Sequence, residues 1–159
     1  MIGLKDYLAK LEMELMVGGG RWVADFSESF WNYPIGKTRF DMLLTGGMRG
    51  RGFLISRVVN WFFIPNYFVA CFAYSTSHNL TNLHSILDAV EQFRHERELA
   101  WCWLVIAREG RFSRRDRQVV EHNDTRELGI ALVDLKNEEV TTSSSYIGKR
   151  MARFVRCFR

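Results

Sequence analysis

The sequence predicts a single α/β domain in which a mixed β-sheet is flanked by helices. Three observations predict it. Apolar runs of strand length occur at residues 67–74 (YFVACFAY), 101–107 (WCWLVIA) and 129–135 (GIALVDL), as expected of strands buried on both faces. The stretches between and around them place apolar residues at helical spacing. Ahead of the first run, residues 21–29 and 38–45 alternate as two further strands. A strand meander followed by strand–helix–strand crossovers gives a mixed sheet with helices on both faces.

Each element has its own signal. Leu4, Leu8, Leu11 and Leu15 form one stripe of a helix over residues 2–16. Gly18-Gly19-Gly20 is expected to stop it, because glycine tolerates the left-handed conformation that ends helices. Asn32 to Gly36, with Pro34, reads as a turn, and Gly46 to Gly52 as a loop. Residues 53–66 read either as another strand or as a short apolar helix. Asn79 or Thr81 is expected to cap a helix running to about Leu99, with Leu83, Ile86, Leu87, Val90 and Phe93 inward. Ser113 caps a short polar helix over 113–122, and 140–146 reads as an edge strand. The C-terminal stretch predicts an amphipathic helix, with Ile147, Met151, Phe154, Val155 and Phe158 on one face and Lys149, Arg150, Arg153, Arg156 and Arg159 on the other.

Composition bounds the class. A length of 159 residues with 47% hydrophobic and 25% charged residues suits one domain, 1–159, with one sizeable core. The net charge of +4, carried mostly by arginine, leans toward phosphate-bearing partners without requiring them. The odd, scattered cysteines Cys71, Cys102 and Cys157 read as free thiols of a reducing, cytoplasmic compartment. Neither they nor His78, His84, His95 and His122 have zinc-ligand spacing, so no metal or other cofactor is expected. The most apolar run, 61–74, is broken by Pro65-Asn66 and falls short of the roughly 20 residues that span a bilayer, so no membrane partner is expected. The charged start of the chain does not read as a secretory leader.

The phrase Arg39-Phe40-Asp41-Met42-Leu43-Leu44, the strand FVACFAYSTS at 68–77, the helix with Glu91-Gln92-Phe93 and the strand Trp101–Ala107 follow one another in a familiar order. Over roughly residues 1–135 the chain resembles the restriction-endonuclease-like superfamily, the PD-(D/E)XK nucleases, particularly the branch of Holliday-junction resolvases and archaeal-type endonucleases. That family carries an Asp near the start of one strand, and a Glu or Asp and a Lys two residues apart on the next. The carboxylates hold a divalent metal that activates water, and the Lys orients or deprotonates it. By cadence the Asp falls on Asp41, the Glu on Cys71 and the Lys on Ala73. A thiol and a methyl group offer neither hard oxygen ligands nor a cation, so the resemblance implies a nuclease-like domain with an eroded, inactive site. The alternative is a working Mg- or Mn-dependent endonuclease with relocated ligands, for which Glu12, Glu28 and Glu91 are the candidates beside Asp41. A third reading is a protein-interaction subunit with no nucleic-acid role. Many members of the superfamily dimerise, which admits a homodimer here.

The remaining signals each have two readings. Asp41 either belongs to a metal site, working or relic, or caps a turn or pairs with Arg39. Arg49 and Arg51 in the glycine-rich loop either contact phosphates or sit in a solvated hairpin loop; the loop has no Walker lysine and serine. Arg111, Arg114, Arg115 and Arg117 either join Lys149, Arg150, Arg153 and Arg156 in one nucleic-acid-binding surface or form separate solvated faces. A basic amphipathic helix also suits an anionic membrane surface, but its continuous apolar side is better used to dock onto the domain. Most Trp and Phe residues read as core, with Trp31 and Tyr33 as the candidates for exposed aromatics, and Cys71 as a packing residue.

Overall fold

A computed structural model of the chain describes residues 2–47 and 68–159. The ambiguous segment 53–66, and Arg49 and Arg51 with the greater part of their loop, lie outside the described residues. The elements run α1 (Leu4–Met16), β1 (Asp25–Ile35), β2 (Thr38–Gly47), β3 (Phe68–Thr76), α2 (Leu83–Glu96), β4 (Trp101–Arg108), α3 (Arg114–Glu121), β5 (Leu128–Asp134), β6 (Glu139–Thr142) and α4 (Tyr146–Met151). The strands form one sheet in the order β1-β2-β3-β4-β5-β6. The β1–β2, β2–β3 and β5–β6 pairs are antiparallel, and β3–β4 and β4–β5 are parallel. This is the mixed α/β sheet expected from the alternation of apolar runs and helical periods.

The sheet has two buried faces because its central strands carry long apolar runs that supply side chains to both sides. On one face Tyr7, Leu8, Leu11 and Leu15 of α1 pack with Met42, Leu44, Cys71, Ala73, Trp103 and Val105. Met151, Phe154 and Val155 complete that layer. On the other, Ile86, Val90 and Phe93 of α2 pack with Phe72, Leu104, Ile106 and Ile130, joined by Phe112 and Val120 around α3. All seven positions of β5 are buried, as a strand between two helical layers requires.

Several local expectations are corrected. Gly18–Gly20 follow α1 without left-handed backbone, and their missing side chains let the chain pass close against its last turn. Gly18 has a φ of −82°, and a Cβ on Gly20 would lie 2.6 Å from the Leu15 Cα. Second, β1 starts only at Asp25, after a 3-10 turn at Gly19–Trp22. It then continues through the supposed turn at 32–36. Pro34 is tolerated because β1 is the edge strand among the described strands, where a missing N–H breaks no ladder. Asn32 takes a positive φ of 54° within it, and the reversal falls at Gly36, with a φ of 58°. Third, α2 begins after Asn82, not Asn79 or Thr81, and Asn82 makes no side-chain cap. Fourth, the C-terminal helix spans only the six residues Tyr146–Met151 and does not run on toward Arg159. Met151, Phe154 and Val155 still enter the core, but beyond Met151 the chain continues as a turn, with the Phe154 and Val155 N–H groups donating to the Met151 carbonyl. The buried Tyr7 hydroxyl donates to the Val155 carbonyl at 2.9 Å, tying the tail to α1. The edge strand likewise stops at Thr142, where Ser143 and Ser145 turn inward: Ser143 Oγ accepts from Ile130 N–H at 3.0 Å and Ser145 Oγ from Gly148 N–H at 3.2 Å.

Candidate nucleic-acid interface

β2 and β3 are adjacent, so the strand of Asp41 lies beside the strand of Cys71. Their side chains nevertheless do not build a pocket. Leu44 stands opposite Cys71 and Met42 opposite Ala73, and these four share the α1-side core with no exposed surface. Asp41 is one residue out of step with that set. Its Oδ2 accepts the Ser75 backbone N–H at 2.6 Å, beyond the last β2–β3 pair, so the carboxylate closes the end of the ladder. This is the capping role, with Ser75 in place of the expected turn or Arg39. Burial drives the Cys71 thiol far above its ordinary range, reinforced by Cys102, which fits a packing residue and not a nucleophile.

The other candidate acids are held separately. Glu12 of α1 accepts from Ser29 Oγ and from Trp31 Nε1, the latter at 3.2 Å. Glu28 of β1 accepts from Thr45 Oγ1 at 3.2 Å. It edges a cavity of about 360 Å³ on the α2 side, walled by Phe30, Tyr33, Phe68 and Phe93. Glu91 of α2 pairs with Arg94 at 2.9 Å and with His95 at 3.7 Å. Among the described residues no three of His, Cys, Asp and Glu converge as a metal site. Of the two candidate aromatics, Trp31 is exposed, but Tyr33 is half-buried edge-on to Phe93, 6.1 Å between centroids. Both sit in β1 and not in a turn.

The basic residues behave differently. Arg111, Arg114, Arg115 and Arg117 are all exposed on α3 and the loop before it, and none forms an ion pair among the described residues. The helix starts where expected. Ser113 Oγ accepts Asp116 N–H at 3.0 Å and donates to Asp116 Oδ2 at 2.6 Å, so the one acid of this stretch turns inward and leaves the arginines outside. Sequence reasoning missed the brace beneath them. Arg108, at the end of β4, donates from Nη1 to the Arg111 carbonyl and from Nη2 to Asn79 Oδ1, both at 2.7 Å. It pins the loop that carries Arg111 to the loop that follows β3. No spacing in the sequence reveals a contact between residues 79 and 108.

No family model, curated protein or solved structure matches the chain. What the interface does must therefore come from its own geometry.

That geometry divides the cations. Phe112 and Val120 anchor the α3 arginines on the α2 side of the sheet, whereas Met151, Phe154 and Val155 anchor the C-terminal ones on the α1 side. The two basic stretches thus lie on opposite faces, the arrangement of the second of the two readings that the sequence left open. Their surroundings differ as well. None of the large exposed hydrophobic side chains among the described residues belongs to α3, while Met13 and Val17 of α1 and its C-cap stand 66% and 67% exposed beside the C-terminal arginines. Within the C-terminal group, Arg150 bonds the Tyr146 hydroxyl at 2.7 Å, and Arg153 lies over the Phe154 ring. Lys149 and Arg156 are exposed.

Proposed function

We propose that this chain is a nucleic-acid-binding domain of nuclease-like architecture that does not cleave its ligand. The observation that carries the binding is the α3 face: four exposed arginines with no carboxylate partner among the described residues and no large apolar side chain between them. Such a surface gains from phosphate contacts, which are charge-assisted and independent of sequence. The nuclease kinship rests on the strand order, a β1-β2-β3 meander followed by the parallel β4 across α2, and on Asp41 near the start of β2. The absence of cleavage rests on Met42, Leu44, Cys71 and Ala73 filling the ground where ligands would converge. A cytoplasmic setting suits the three free thiols. A homodimer would find an open sheet edge, among the described strands, in β1 with its exposed Phe30 and Trp31.

Fluorescence anisotropy of the full chain with labelled duplex DNA, single-stranded DNA and RNA tests the binding. Affinity is expected to fall steeply between about 50 and 200 mM salt. The combined variant R114Q, R115Q and R117Q should weaken binding to all three probes. Failure to bind any of them at the lowest salt would favour a protein-interaction subunit instead. Incubation with magnesium or manganese tests the chemistry: cleavage that disappears in Asp41→Ala would restore the active endonuclease with relocated ligands.

A further inference from the structure

A groove of about 650 Å³ runs between α1 and the C-terminal segment, on the sheet face away from α3. Its walls combine two chemistries. Met13 and Val17, one turn apart on α1 and its cap, are the apolar side, completed by Phe154 and Cys157. Lys10, Arg153, Arg156 and Arg159 are the rim, all exposed and without ion pairs among the described residues. The single acid there, Glu14, is committed to the Gly19 amide at 3.0 Å.

We propose that this groove receives an acidic amphipathic helix of a partner protein. The apolar side chains ask for a ligand that brings its own apolar face, which a phosphate backbone does not. Four cations against one committed acid ask for a ligand carrying carboxylates on both flanks of that face. The groove is also long: Lys10 to Val17 follows α1 for about two turns, or roughly 10 Å. That matches apolar anchors at i, i+3 or i+4, and i+7 of a docked helix. A second copy of the same groove is excluded as occupant by its like charge. The groove is independent of the α3 surface, so this inference stands or falls apart from nucleic-acid binding.

The test is selection of displayed helical peptides against the full chain, followed by anisotropy titration of the selected peptide. Selected sequences should place Leu, Ile or Phe at helical spacing and Asp or Glu on the flanks. Reversing the rim with R153E and R156E should weaken that peptide by about tenfold or more at low salt. Met13→Glu and Val17→Glu change exposed positions and should abolish binding while leaving the thermal midpoint unchanged. The R114Q, R115Q and R117Q variant should bind the peptide as the parent does. Recovery of no peptide, of peptides without helical apolar spacing, or of binding indifferent to the groove variants overturns the proposal. So does co-sedimentation with vesicles containing phosphatidylserine that is lost in R153E and R156E, which would assign the groove to a lipid surface.

Discussion

Asp41 shows how much a single residue's neighbours decide. The same carboxylate reads as a metal ligand in the company of Glu and Lys, and as a ladder cap when it takes the Ser75 amide and sits beside Met42. Asp41→Ala should therefore cost stability, about 1–2 kcal/mol in urea denaturation, because it strands a strand-end donor. Nucleic-acid affinity should be unchanged. Tyr7→Phe should cost about 1 kcal/mol, since the Val155 carbonyl is left without its donor at a buried site. The buried acids also give a pH prediction. Burial raises Tyr7 well above its ordinary value of 10.0, with Cys157 and Cys71 adding to it. Cys102 is pushed up to about 12, by burial first and then by Glu91, from an ordinary 9.0. In each case the unfolded chain releases its proton first. The stability is therefore complete below about pH 9 and is lost as pH rises through the folded values. Urea midpoints at neutral pH and at pH 10 should differ in that direction, and the difference should shrink in Tyr7→Phe.

At the scale of elements, α3 and α4 are both short helices opened by a serine, yet they fare differently. α3 carries its cap reciprocally through Asp116, and Ser113→Ala should destabilise the chain by about 1 kcal/mol. In α4 the cap is part of a crowded corner. A Cβ on Gly148 would meet Ser143 Oγ and lie 2.8 Å from the Ser143 carbonyl oxygen, so Gly148→Ala should cost about 1–3 kcal/mol by thermal unfolding. The function placed on α3 has its own readout. Removing three arginines should reduce the slope of log affinity against log salt by up to about 2.7, if each meets one phosphate of duplex DNA. A slope that does not change would remove α3 from the interface. The C-terminal stretch was legible as an apolar stripe but not as a helix of the right length. Positions 151, 154 and 155 share a face in a single turn as well as in a long helix. The Tyr7 bond that holds the tail lies 148 residues away in sequence.

For the molecule as a whole, the sheet is a partition. Two layers of helices bury its two faces, and the cations are sorted according to which layer their apolar anchors join. Their separation predicts additivity. Combining R114Q, R115Q and R117Q with R153E and R156E should lose nucleic-acid and peptide binding by the sum of the separate effects, as expected of distant sites with no shared partner. A coupling between the two losses would show that one ligand touches both.

The alternation of fully apolar strands with helical periods was enough, read along the chain, to give the mixed sheet, the α1 stripe and the Ser113 cap. The strand and helix periods behind them depend on neighbours within one or two turns, where side-chain periodicity is a direct record of burial. Opposite faces for the two arginine groups, Met42 rather than Asp41 facing Ala73, and the Arg108 brace depend on residues far apart in the chain. Periodicity says that a side chain is buried or exposed; it does not say which of two layers buries its anchor. Only the assembled sheet, by setting register and side, decides that.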